Sequence, residues 1–597
     1  MRSIRWTCAA GGVAVLLVAA PGAQAQDVTP GDCNGHGDSA VTEKGPYEIG
    51  PQEVVEVPSK LDGRPQQIGI VRPKLPPGVK APVIVDAGTY HYADLAKADI
   101  RSCSPFLVEN FVAHGYAVAL VPSRGTGNSD GCPNLWGKVE RSDLDDAITY
   151  LGTQDWSNGN VAMYGLSYHG STPWAAAATG NPHLKTILPA SGVNDIYDLS
   201  FGAGTLDWRF WFFVSGYYYY YGPGYHNPAF SGRDSVRTVN AATTCPDVAQ
   251  GEAASVESAA TGETDSFGYW AERRLRPMVE RNYKGSVLLI QGLQDWNVRP
   301  AHTIPWAVSL RKQGIHVEQL LGQWAHSFPD WEAVAGTHTR WDFADQALAW
   351  FDRYLKGDKA STGALVEVED SSGRWRREKS WPPRNRQTLH LTAEKSLAAE
   401  KSAGTATAVL AQDSRSRHYL IGSTFPAETT DADDPTPREV DDVCVTCIAF
   451  SMRATKELRL SGLPEVFADV TPTTPSGHIA AALYRRAADG LHRLGWGATD
   501  LRFPDGENTG DETPEEVVPG VAKRARIQIE PLEAVVGAGE ELVLILGQGN
   551  GMQLPGRPVG PVELSYGAGT SFLRFNRARP KASQFFTPPG PEGRQLP

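Results

Sequence analysis

Three residues far apart in the chain carry the side chains that acyl transfer needs: Ser167, Asp295 and His326. A serine hydroxyl is a weak nucleophile at neutral pH. It needs an imidazole within hydrogen-bond reach to take its proton, and a carboxylate to orient that imidazole. Ser167 lies in Val161-Ala-Met-Tyr-Gly165-Leu166-Ser167-Tyr168-His169-Gly170, followed by Ser171-Thr-Pro-Trp-Ala-Ala-Ala-Ala. The start of this stretch reads as a buried strand and its end as a helix with proline in the first turn. Strand, tight turn, serine and helix together make a nucleophile elbow, with helix N–H groups placed for a developing oxyanion. The second glycine comes one place late, and His169 stands in its usual position. A plain strand–loop–helix connection is the alternative for the motif taken alone.

The acid and the base follow in the chain order that an open α/β sheet requires. The strand Ser286–Gln291 runs into Gly292-Leu-Gln-Asp295-Trp-Asn-Val298, and the strand Val317–Leu321 runs into Gly322-Gln-Trp-Ala-His326. Both residues fall just past a strand end, where ligand-facing loops lie. Among 14 histidines the rivals are His302, which begins a helix, and His338, which lies well beyond the strand end. The oxyanion donors expected are the Tyr168 backbone N–H and a tyrosine hydroxyl from the loop Gly88-Thr-Tyr90-His91-Tyr92, with Tyr90 the choice and Tyr92 the reserve.

The elements that would position these groups alternate. Val83–Ala87, Ala117–Val121 and Thr186–Pro189 read as strands, with helices at Ser104–His114, Asp143–Gly152 and His302–Gln313. Such alternation predicts a mainly parallel sheet covered by helices. The stretch at about 198–281 interrupts this rhythm. It holds Asp207-Trp-Arg-Phe-Trp-Phe-Phe213 and the run Tyr217–Tyr221, and is expected to be an inserted cap whose aromatics pack it onto the sheet and wall a pocket. After Lys356 helical periodicity fades. Strand-like runs recur at 387–391, 448–452, 458–460, 479–484, 526–529 and 541–546 between loops rich in Gly, Pro, Asp and Thr, which predicts an all-β sandwich, a jelly roll.

With 597 residues the chain is too long for one core. A net charge of −12 argues against a polyanion partner, so nucleic acid is not expected. Arg2 and Arg5, the apolar run Ala9–Ala20 and Ala23-Gln-Ala25 form a signal peptide over residues 1–25. The expectation is a secreted protein with no membrane span, its catalytic domain at 26–357 and its β domain at 358–597. Outside the cytosol, Cys33, Cys103, Cys132, Cys245, Cys444 and Cys447 favour disulfides. Cys444-Val-Thr-Cys447 reads as a local bridge, with a redox or zinc site as the rival; the other four allow three pairings. The acidic loop Asp431–Asp434 reads as solvated, with calcium as the alternative. No cofactor or metal is called for.

Several stretches resemble the Xaa-Pro dipeptidyl-peptidase and cocaine-esterase-type group of serine hydrolases, within the α/β-hydrolase superfamily. They are Arg124-Gly-Thr-Gly-Asn-Ser-Asp-Gly131, Asp143-Leu-Asp-Asp-Ala-Ile148, Trp156–Gly170, Gly292–Val298 and Trp324-Ala-His326. The family elbow has tyrosine after the serine and a displaced glycine, as here. The resemblance implies an α/β-hydrolase fold with a helical cap, a carboxy-terminal jelly roll of galactose-binding type, and a tyrosine hydroxyl in the oxyanion hole.

It also implies acylation of Ser167 and release of N-terminal Xaa-Pro dipeptides, with acyl-ester cleavage as the alternative. A dipeptidyl-peptidase must bind a free α-amine. Asp207, Trp208 and Trp296 are the candidate substrate contacts, though a salt bridge or cap hydrogen bond explains Asp207 equally well. The partner is then a peptide or ester substrate, and a homodimer is open to it. A different class stays in view: a carbohydrate- or wall-binding protein in which the front domain is only a scaffold.

Overall fold

The computed structural model describes residues 37–91, 94–207, 245–261, 268–332, 336–359, 361–412, 440–506, 513–549 and 553–596. The expected signal peptide, Cys33, Tyr92, Trp208, most of the aromatic stretch expected as a cap and Asp431–Asp434 lie outside the described residues.

The amino-terminal half is built on strands β1 (Ile49–Pro58), β2 (Pro65–Pro73), β3 (Ala81–Gly88), β4 (Ala117–Pro122), β5 (Ser157–Leu166), β6 (Leu184–Ala190), β7 (Ser286–Gly292) and β8 (Val317–Gly322). They lie in the order β1-β2-β4-β3-β5-β6-β7-β8. From β4 to β8 every neighbouring pair is parallel, while β1 and β2 run antiparallel at one edge. The cause is visible in the sequence. β3, β4, β7 and β8 are buried along their whole length, as strands covered on both faces must be. Alternate residues serve opposite layers: Val83, Val85, Val161, Met163, Val287 and Leu289 enter one core, and Ile84, Ala162, Tyr164, Leu288 and Ile290 enter the other.

Helix α1 (Lys138–Thr153) covers the first face with Leu144, Ala147, Ile148 and Leu151, and helix α2 (Tyr168–Ala177) adds Trp174. Helix α3 (Phe343–Phe351) covers the second face with Phe343, Ala344, Ala347 and Trp350. The helix expected at His302–Gln313 is broken into Pro300–Thr303 and Trp306–Lys312. Pro305 lies between the pieces and brings no N–H to the helical ladder.

The sheet does not stop where the composition changes. Two further strands, β9 (Val366–Glu369) and β10 (Trp375–Glu378), extend it past residue 357, β9 parallel to β8, and the tail strand Phe585–Phe586 closes the edge. Sheet edges recruit strands from wherever the chain offers unpaired backbone, so a break in composition need not be a break in the sheet.

Beyond β10 the chain forms two antiparallel sheets, one of eight strands and one of four. Leu391, Val466, Val470 and Phe575 from the first share a core with Phe450, Leu483, Leu544 and Leu546 from the second. All six strand-like runs expected from the sequence are strands; the run at 458–460 begins a 15-residue strand, Leu458–Pro472, with a register irregularity between Ser461 and Glu465. This β-rich region is joined to the front half by more than the covalent linker. The strand Thr205–Asp207 pairs with Gln553–Pro555, and Arg299 meets Glu530. The Cys132–Cys245 disulfide ties the start of the helix Pro246–Thr261 to the loop after β4; Cys444 and Cys447 are bonded to each other, and Cys103 is disulfide-bonded as well. Among the described residues no helix is long and apolar enough to cross a membrane.

Candidate active site

The elbow forms because three close approaches leave no room for side chains. A Cβ on Gly165 would strike the main chain at His169, one on Gly170 would strike the Ala190 carbonyl oxygen, and one on Gly192 would strike the main chain at Gly170. This explains the late glycine: position 170, not 169, faces β6. Ser167 itself sits at φ 64°, ψ −119°, a backbone conformation that only a tightly held turn sustains in a residue with a side chain. Its N–H donates to Ala190 O at 3.0 Å, and α2 starts at the next residue.

The Tyr90 hydroxyl donates to Ser167 Oγ at 3.2 Å. Tyr168 follows Ser167 in the first turn of α2, where amide groups point out of the helix. Its side chain turns away into the core. There its hydroxyl donates to Glu140 at 2.7 and 2.8 Å, and that carboxylate also accepts from Ser123 Oγ and the Trp136 N–H. Burial, reinforced by Glu140, raises the Tyr168 hydroxyl well above its usual range, so it stays protonated. Burial likewise raises Glu140, although its three donors oppose the shift.

Asp295 is fully buried at the end of β7. Its Oδ1 accepts the N–H groups of Asn297 and Val298, and its Oδ2 accepts Gln291 Nε2 at 3.1 Å and faces His326 Nδ1 at 2.9 Å. The carboxylate can only accept, so Nδ1 carries the ring proton and Nε2 the lone pair. His326 Nε2 is buried and has no hydrogen-bond partner among the described residues. The structure thus sets Tyr90 against Ser167, and Asp295 against His326, at the carboxyl ends of parallel strands, without a hydrogen bond between Ser167 and His326. A base held in one tautomer with an open lone pair is equipped to take a proton from a hydroxyl brought to it.

The rival histidines are committed elsewhere. His302 Nε2 accepts the N–H of Asn194 and its Nδ1 faces Asp198, while His338 pairs with Glu369 at 2.9 Å. Asp207 is buried and forms an ion pair with Arg299 at 3.2 Å. Trp296 is packed in the interdomain cluster with Cys444, Tyr484 and Trp496. The residues absent from the sequence-based list are Glu140, Asp86 and His169. His169 Nδ1 meets Asp86 Oδ1 at 2.6 Å, and His169 Nε2 accepts the Tyr90 N–H at 3.0 Å. Two signals were available: a carboxylate inside the apolar run Val83-Ile-Val-Asp86-Ala87, and a histidine in the glycine's place.

A buried acid–imidazole pair and a serine on an elbow, all on loops after parallel strands, sit in an α/β-hydrolase-like fold that is followed by a carboxy-terminal β-rich domain. Comparison with known proteins narrows the class. The X-Pro dipeptidyl-peptidase (S15) family matches residues 62–328, and the X-Pro dipeptidyl-peptidase C-terminal non-catalytic domain matches residues 359–565. Over both stretches the chain is thus similar to X-Pro dipeptidyl-peptidases.

A Streptomyces avermitilis protein provisionally named an Xaa-Pro dipeptidyl-peptidase is 28% identical over 489 residues, covering 73% of this chain and 64% of its own length. The chain therefore spans less than two thirds of that relative. Cocaine esterase of a Rhodococcus strain is 38% identical over 89 residues, 15% of each chain. The solved structure of an α-amino acid ester hydrolase superposes with a TM-score of 0.67 at 18% identity, covering 94% of this chain and all of that one.

Proposed function

We propose that this chain is a serine hydrolase that releases N-terminal Xaa-Pro dipeptides through an acyl-enzyme on Ser167. His326 takes the Ser167 proton during attack, and Asp295 holds the imidazole in its tautomer and balances the charge it acquires. The Tyr90 hydroxyl and the Tyr168 N–H hold the oxyanion. Water then repeats the sequence on the acyl-enzyme. The observation that carries this reading is the His326–Asp295 contact at 2.9 Å, with Nε2 left open among the described residues, on the same sheet rim as the Tyr90–Ser167 contact. The family matches over both halves of the chain support the peptide substrate.

Acyl-ester cleavage is the second reading. It is favoured by the stretch shared with cocaine esterase and by the state of Asp207, whose charge is already met by Arg299 and is not held open for a substrate amine. The proposal extends to export of the mature protein after cleavage near Ala25, to a jelly-roll topology for the β-rich domain, and to a homodimer. Hydrolysis of Ala-Pro and Gly-Pro anilides, compared with N-blocked controls and aryl esters, tests it. Cleavage that needs a free amine and a proline supports the dipeptidyl-peptidase, and ester cleavage alone selects the second reading.

A further inference from the structure

The Tyr90 side chain must be held still if its hydroxyl is to serve an oxyanion, because a donor that reorients during reaction loses most of its value. Its surroundings supply the hold. The Tyr90 and His169 rings stack with centroids 4.7 Å apart and planes 16° from parallel. The Tyr90 N–H donates to His169 Nε2 at 3.0 Å, so that nitrogen carries the lone pair and the ring proton lies on Nδ1. Nδ1–H in turn donates to Asp86 Oδ1 at 2.6 Å. Asp86 and His169 are each almost wholly buried. A Cβ on Gly88 would run into the His169 imidazole, so the glycine two residues before Tyr90 is what lets that ring lie beneath the loop.

We infer that Asp86 and His169 form a positioning pair that fixes Tyr90 over Ser167. The inference rests on the hydrolase reading above. Asp86, on β3, locks the tautomer of His169, on α2. His169 then grips the Tyr90 loop by one hydrogen bond and one ring face, and the Tyr90 hydroxyl reaches Ser167 Oγ at 3.2 Å. The histidine in the displaced-glycine position thereby links the helix behind the nucleophile to the loop that faces it.

His91 completes the group without competing for the role. Its Nε2 contacts the Asp86 main-chain oxygen at 3.1 Å, and burial lowers it to about 4. Despite burial, the two facing rings hold the Asp86 carboxyl below its usual range. Ligand atoms of Asp86, His91 and His169 also lie within 4.8 Å of one another. The ring nitrogens that face Asp86 are already spent on hydrogen bonds to it, which is the arrangement of a relay and not of a cation cage.

A double-mutant cycle on the full chain tests the inference. Steady-state kinetics are measured on whichever of Ala-Pro anilide or aryl ester the wild type cleaves, with thermal melts as the folding control. Tyr90→Phe is expected to lower kcat about 10²-fold, the usual effect of removing one oxyanion donor. His169→Gln, which loses the ring stack, is expected to lower kcat about tenfold with KM within about twofold, the signature of a contact made in the transition state. Because His169 acts through Tyr90, the double variant should be no slower than Tyr90→Phe alone.

Losses that multiply in the double variant, a loss confined to KM, or wild-type turnover in His169→Gln overturns the inference. Asp86→Asn keeps an acceptor for Nδ1–H and runs the same cycle if His169→Gln does not fold. Failure of the hydrolase reading shows earlier and separately, as a folded wild type that neither cleaves these substrates nor reacts with a fluorophosphonate at Ser167.

Discussion

Arg299 offers a sharp test of how the two halves of the molecule support the site. Its guanidinium is buried at the domain junction, four residues after Asp295. It meets Asp207 at 3.2 Å, Glu530 of the β-rich domain at 3.0 Å and the Leu199 carbonyl at 3.1 Å. Glu530 also accepts the Ala301 N–H at 2.8 Å. Arg299→Met keeps the bulk of the stem and removes the charge, leaving two buried carboxylates without their cation. Breaking a buried pair in this way costs about 3–5 kcal/mol, or roughly 10³-fold in the folding equilibrium.

The sign with pH follows from Glu530. Burial already raises its carboxyl despite Arg299 and the Ala301 N–H, and Asp207 adds to the rise. Loss of the cation raises it further. A carboxyl whose folded pKa exceeds its unfolded value weakens folding most above the folded pKa, and ceases to do so below the unfolded one. The deficit of Arg299→Met relative to wild type should therefore be large at pH 8 and smaller at pH 5 in urea unfolding. Adding Glu530→Gln should recover part of it. A deficit under about 1 kcal/mol, below the range for breaking a buried pair, or an equal deficit at both pH values, or a double variant that loses the sum of its singles, refutes the reasoning.

Three further outcomes are expected. Ser167→Ala keeps its melting temperature and loses roughly 10⁶-fold in turnover, read with the wild-type substrate; substantial residual turnover by pure, folded protein removes Ser167 from the mechanism. Asp295→Asn, which keeps the shape but can present an N–H where an acceptor is needed, is expected to lower kcat about 10⁴-fold with little change in KM. Asp330 is raised to about 7 by burial, despite the Ser39 N–H and hydroxyl that donate to it. Its protonation favours the fold below the ordinary aspartate range, and that contribution is lost as pH rises through about 7. Asp330→Asn should flatten the fall in melting temperature between pH 4.5 and 7.5, and an unchanged slope counts against it.

The amino-acid sequence alone determined the features that are local in the chain. Apolar runs fully buried in a sheet mark β3, β4, β7 and β8, because such strands need no alternation. Glycine–serine spacing marks the elbow, because the start of α2 forbids a side chain at Gly165 and β6 forbids one at Gly170. Chain order then places Asp295 and His326 after successive strands. What the tertiary structure decided lies in pairs far apart in sequence. Asp86 and His169 are 83 residues apart, Tyr168 and Glu140 are 28 apart, and Arg299 and Glu530 are 231 apart.

Nothing in a single segment states which carboxylate a histidine will face; strand order and helix docking do. The same holds for the pairing of Cys132 with Cys245 and for β9 and β10, which join the sheet beyond the compositional break. A residue's type and near neighbours set what it can do chemically. Its partners depend on which distant backbone the burial of two apolar faces brings alongside it.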